Sequence, residues 1–128
     1  MGGFFGVVSK SDCVNDLFFG TDYHSHLGTR RGGLAVLDST YRITRTIHDI
    51  TNSQFRSKFD GDLEKFSGNV GIGVISDYED QPLIITSHLG TFSIVTVGKI
   101  TNSAKLVQEC FHQGFAQFSE MNFGEINP

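Results

Sequence analysis

The sequence has no tryptophan, two cysteines, no run of charge of one sign and no long apolar stretch, and each shortage removes a class of protein. Cys13 and Cys110, with no leader and no dense spacing pattern around them, do not make a disulfide framework and are read as reduced thiols. A net charge of −4 is spread thinly: Arg30-Arg31 is the one adjacent basic pair and the acids scatter from Asp12 to Glu125, so nothing draws nucleic acid by charge. The apolar opening at 4–8 lacks a basic flank and is too short for a leader's core or a membrane span, and Gly6 stands where a myristoylation signal needs Ser or Thr. A cytoplasmic protein with no nucleic-acid or membrane partner is the expectation.

What is present fits an ordinary globular domain. Hydrophobic residues make up 38% of the 128, twelve of them Phe. A chain of this length buries roughly 65–70% of its unfolded surface, enough for one Phe-rich core and too little for two domains. Periodicity predicts a buried strand over 4–9, then a helix over 12–28 opened by Asp12 and carrying Val14, Leu17 and Phe18 on one face. Strands over 32–38 and 41–47 are expected to pair through a turn at Asp38-Ser39-Thr40. Phe55, Phe59, Leu63 and Phe66 step by four, four and three, which predicts a helix over 51–66, breakable at Gly61. Three β-type segments follow, over 69–76, 82–87 and 91–97. A last helix capped by Thr101 or Asn102 has Leu106, Val107, Cys110 and Phe111 as its core positions. Strands grouped in consecutive runs imply an α+β domain with mostly antiparallel sheet and helices on one face. From 113 to 128 no period is visible, and the chain reads as the front part of something longer.

Several short patterns are weighed and set aside. His24-Ser25-His26 on a helix would point its imidazoles apart and has no third ligand fixed by sequence, so no metal is expected. His48, His88 and His112 stand alone and are read as surface or capping residues. Gly68, Gly71 and Gly73 do not complete a dinucleotide fingerprint, because Ser76 holds its last position; close packing is the better role. Gly98-Lys99-Ile100-Thr101 fails as a phosphate loop, since Ile100 displaces the required hydroxyl. Arg30-Arg31 is read as solvated loop in preference to an anion contact. No cofactor is implied.

Five fragments in order resemble a known family. Gly2-Gly3-Phe4-Phe5-Gly6-Val7 is similar to the opening of class II glutamine amidotransferases, where Cys-Gly, two hydrophobic residues, Gly and a hydrophobic residue follow the initiator Met. Phe18-Phe19-Gly20, His26-Leu27-Gly28 and Gly33-Leu34-Ala35-Val36 resemble its Tyr-Gly-Leu, His-Arg-Gly and Ala-Gly-Ile. Gly68-Asn69-Val70-Gly71-Ile72-Gly73 resembles Gly-Asn-hydrophobic-Gly-Ile-Gly, Gln81-Pro82-Leu83 resembles Gln-Pro-Phe, and Ile100-Thr101-Asn102 matches the end of Asn-Gly-Asn-hydrophobic-x-Asn. The amidophosphoribosyltransferases of purine synthesis are the nearest group by these motifs. The resemblance implies N-terminal-nucleophile-hydrolase-like αββα layers, with residues 1–128 a single partial glutaminase-type domain. It implies too that the domain's C-terminal remainder and any phosphoribosyltransferase domain lie outside this chain.

The same resemblance implies that the chemistry is gone. In such hydrolases the first residue attacks with its side chain while its own α-amine acts as base. Here that position is Gly2, which offers no attacking atom, and Cys13, being internal, cannot stand in. The family's His-x-Arg-Tyr, whose arginine holds the substrate carboxylate, is replaced by Val74-Ile75-Ser76-Asp77, and the loop before Gln81 is shortened. The oxyanion-donating Asn-Gly becomes Val97-Gly98, leaving only a backbone N–H at Gly98 as a remnant. No catalytic residue is therefore expected; Ser76 and Val97 mark lost positions. What survives is a vestigial glutamine-like small-molecule cleft, or a non-enzymatic module binding a small molecule or partner. An uncovered sheet face would favour a homo-oligomer.

Overall fold

The opening run Gly-Phe-Phe-Gly-Val-Val forms strand β1 (Gly3–Val8), whose alternate residues Phe5 and Val7 turn toward the core while Phe4 and Val8 stay exposed. It belongs to a computed structural model that describes residues 2–27, 30–77, 79–98 and 100–113. The chain divides into two compact units, residues 1–95 and 96–128.

Helix α1 (Val14–Tyr23) is shorter than the pattern suggested. It begins after Cys13, not Asp12, because the Asp12 carboxylate is used otherwise: it accepts the Val14 N–H at 2.9 Å and the Gly68 N–H at 3.2 Å. Its buried stripe of Val14, Leu17, Phe18 and Thr21 then runs out. The chain then tightens to a 3₁₀ turn at Ser25–Leu27.

Strands β2 (Arg31–Leu37) and β3 (Ile43–Asp49) pair antiparallel, but through a longer connection than the three-residue turn expected. The Asp38 carboxylate accepts both the N–H and hydroxyl of Thr40, at 2.9 and 2.7 Å, and the N–H of Arg42 at 3.0 Å. That Asx-type closure takes Tyr41 to φ 62° and out of the strand. The Thr40 hydroxyl bond, first, holds the Asp38 carboxyl below its ordinary range.

The expected helix over 51–66 is in fact α2 (Phe55–Phe59) followed by a 3₁₀ stretch, Asp60–Lys65. The Phe stripe holds, with Phe55, Phe59 and Phe66 buried, yet the geometry changes at the turn containing Gly61. Then come β4 (Val70–Ser76), β5 (Leu83–Ser87) and β6 (Gly90–Ile94), the last ending three residues before the boundary expected. In the second unit α3 spans Ser103–Gln113. Val107 is buried, but Cys110 and Phe111, expected in the core, are exposed. Periodicity marks an apolar face without fixing how far along the helix burial extends.

Strands β1 to β4 make one antiparallel sheet in the order β1-β4-β2-β3, and β5-β6 make a separate hairpin sheet. Consecutive residues of β2 show what covers each face. A Cβ on Gly32 would meet the rings of Phe55 and Phe59, whereas one on Gly33 would strike the Gln81 carbonyl and Pro82. Helices therefore cover one face and the segment leading into the hairpin covers part of the other. On the helix side α1 lies directly on β4, since a Cβ on Gly73 would fall inside the Thr21 hydroxyl and one on Gly71 would press on Leu17. The core, led by Leu17, Leu34, Phe59 and Ile75, fills that interface. Among the described residues no helix is long and apolar enough to cross a membrane.

Candidate functional site

Antiparallel register assembles one row of residues across the end of the sheet. Gly3 lies opposite Ile75, Ser76 opposite Arg31, and Arg31 opposite Asp49. Cross-strand partners share a face, so Ser76, Arg31 and Asp49 form a line across β4, β2 and β3 on the hairpin side, and Gly2, just before β1, lies next to Ser76.

At Gly2 the neighbouring backbone is close. A Cβ built there would come nearer than 3.0 Å to the Ile75 carbonyl oxygen and lie 3.5 Å from the Ser76 Cα. Ser76 is buried, and its hydroxyl oxygen accepts the Glu79 N–H at 3.2 Å. Residues beyond it are tied down: Gln81, 2% exposed, donates to the Glu79 carboxylate at 3.1 Å, and Arg45 donates to the Pro82 carbonyl at 3.1 Å.

Arg31 corrects the reading of Arg30-Arg31 as solvated loop. It opens β2 and contacts two carboxylates, Asp49 at 3.0 Å and Asp80 at 2.9 Å. Strand alternation could have placed it on the face of Gly33, but no local signal points to Asp80, 49 residues on. Asp49 is held below its ordinary carboxylate range, first by the Thr51 hydroxyl and N–H and then by Arg31. Thus the row carries one guanidinium held between two carboxylates and, at Gly2, no side chain at all.

The other sequence candidates fall elsewhere. Val97 and Gly98 lie in the second unit, ahead of α3, and Gly98 takes φ 140°, a conformation glycine favours. Cys13 is fully buried at the start of α1. Burial, and then the Asp12 charge, push its thiol above the ordinary value, so it stays protonated near neutral pH and is a poor nucleophile. His24 caps α1 and His26 sits in the 3₁₀ turn, each edge-on to Tyr23. His48 is not isolated: on the helix side of β3 it pairs with Asp62 and meets the Phe59 ring edge-on at 4.8 Å. Between the two sheets, an apolar cleft of about 210 Å³ is lined by Ala35, Leu37, Ile43, Ile72 and Phe92.

An antiparallel sheet with helices on one face and a second antiparallel sheet toward the other match an N-terminal-nucleophile-hydrolase-like fold. Solved structures bear this out. Glutamine phosphoribosylpyrophosphate amidotransferase from B. subtilis, complexed with ADP and GMP, superposes on 98% of this chain with TM-score 0.77 and 21% identity. A structure described as the allosteric regulatory enzyme of purine biosynthesis does so over 98%, with TM-score 0.78 and 23% identity. The chain spans 28% of the length of each. At this identity the likeness is one of fold. No family model and no curated protein matches the sequence.

Proposed function

We propose that this chain is a single, partial glutamine-amidotransferase-like domain of an amidophosphoribosyltransferase-type protein of purine nucleotide synthesis, and that it does not hydrolyse glutamine. The observation that carries the reading is Gly2 itself. It holds the position from which such a domain attacks, beside the end of β4, and has no sulfur or oxygen to attack with. Ser76 in place of a guanidinium and Val97 in place of an oxyanion donor argue the same way; one lost donor alone lowers rate by about 10²–10³. The assay is release of glutamate from glutamine by the purified protein. No turnover is expected, and a rate comparable to that of an active amidotransferase refutes the reading. Gly2→Cys is expected to leave the protein inactive, because its Cβ would be driven into the Ile75 carbonyl.

A second reading, a non-enzymatic module that binds a small molecule or a partner, is favoured by one observation. On the hairpin side of β1, Phe4 and Val8 are 58% and 81% exposed, and the apolar cleft opens between the sheets. A phosphoribosyl-pyrophosphate loop downstream in the full gene product supports the first reading, and its absence supports the second.

A further inference from the structure

On the helix side of the sheet a second cleft, of about 450 Å³, is bounded by the end of α1, the turn after it and the start of α2. Its polar wall includes Ser25, His26, Ser53 and Arg56, and Ile50 and Phe55 also line it. This site shares no residue with the row through Gly2 and does not rest on the amidotransferase reading.

Arg56 is the group that gives the cleft a chemistry. Its Nε donates to the Asp22 carboxylate at 2.7 Å, and its guanidinium carbon lies 5.6 Å from the centroid of the Phe19 ring. A carboxylate on one edge and an aromatic ring on one face fix the plane of the guanidinium, so much of its rotamer freedom is lost before any ligand arrives. Asp22 uses only Nε; among the described residues the two terminal nitrogens have no hydrogen-bond partner. Those nitrogens form a planar fork that matches two oxygens of a carboxylate or a phosphate. The Ser25 and Ser53 hydroxyls and the His26 ring add hydrogen-bonding groups to the same wall. Asp22 offsets the charge of Arg56, so the cleft does not gather polyanions and suits a single oxyanion on a small body.

We propose that this cleft binds the oxyanion group of a small molecule, a carboxylate or a phosphate monoester, in the fork of Arg56, with the organic part over Ile50 and Phe55. The test titrates the full protein with benzoate and with phenyl phosphate, a pair that shares a ring and differs in the oxyanion. Calorimetry and backbone amide shifts at Ser53 and Gln54, in low-salt buffer free of both anions, provide the readouts. Saturable millimolar binding of either probe is expected, and which one binds tells carboxylate from phosphate. Arg56→Gln should weaken binding at least tenfold, about the loss of one bidentate charge-assisted contact. Arg56→Lys, which keeps a cation for Asp22 but not the fork, should weaken it as much. Asp22→Asn keeps a hydrogen-bond acceptor, removes the competing charge and should tighten binding severalfold. Failure of both probes to saturate by about 10 mM, or wild-type affinity in Arg56→Gln or Arg56→Lys, overturns the proposal.

Discussion

The two faces of the main sheet are made from similar residues and end differently. On the helix side Phe5, Val7, Leu34, Val36 and Ile75 pack under α1 and α2, and glycines at 32, 71 and 73 let helix side chains rest almost on the strands. On the hairpin side Ala35 and Val74 are each 1% exposed, yet Phe4, Val8 and Val70 stand 58%, 81% and 37% exposed. Strand β1 is apolar on both faces, a pattern usual for a strand buried on both. Its sequence calls for two covers and the described chain supplies one in full. The row of Gly2, Ser76, Arg31 and Asp49 belongs to the less covered face, where a ligand or another surface has room to approach.

The largest expected effect tests the packed side. Phe59 is fully buried, stacked on Phe55 at 4.3 Å with His48 against its edge. Phe59→Ala removes a ring and leaves a cavity, and should lower stability by about 3–5 kcal/mol in urea denaturation. A domain of this size has roughly 5–15 kcal/mol in all, so the loss is a large share of its stability. Gly73→Ala comes next, at about 1–3 kcal/mol, because the added methyl must displace the Thr21 hydroxyl and the Leu34 side chain together. Should either change cost less than 0.5 kcal/mol, within the roughly ±0.5 usual at surface sites, the helix side is not the tighter of the two.

Why the two faces were unequally legible in the sequence follows from what periodicity measures. The Phe55, Phe59 and Phe66 stripe and the Gly71, Gly73 pair announced the helix side, since residue size at fixed spacing is a local signal. The apolar opening at β1, the antiparallel strands and the closeness of Gly2 to Ser76 were readable too, the last through resemblance and not through spacing. The break in the second helix was marked by Gly61, but the length of the Asp38 turn was not readable, because side-chain to backbone hydrogen bonds decided it over propensity. Nor were the Arg31–Asp80 and His48–Asp62 pairs: strand register and loop path bring these charges together, and neither is written in the residues between them.

The His48–Asp62 pair gives an intermediate effect with a pH signature. The hydrogen bond from His48, first, and the weaker one from Lys65 hold the Asp62 carboxyl below its ordinary range. Because its folded value lies below the unfolded one near ~3.9, this stabilisation is complete above that pH and is lost as pH falls through the folded value. Asp62→Asn should therefore lower stability by about 1 kcal/mol near neutral pH. In acid the difference from wild type should shrink toward zero as the wild-type carboxyl takes up its proton. A difference that stays constant down to full protonation would assign the effect to packing, not to charge.

The smallest expected effect sharpens the comparison most, because it asks whether the open face is finished. Phe4 and Val8 gain little from burial in the isolated chain, so Phe4→Ser and Val8→Ser should each change its stability by about 0.5 kcal/mol or less. The measurement is denaturation at two protein concentrations, tenfold apart. Equal midpoints and a small loss leave this face solvated. A larger loss at the higher concentration, with a wild-type midpoint that rises with concentration, identifies a second copy as the missing cover, since mass action stabilises only what binds the folded state.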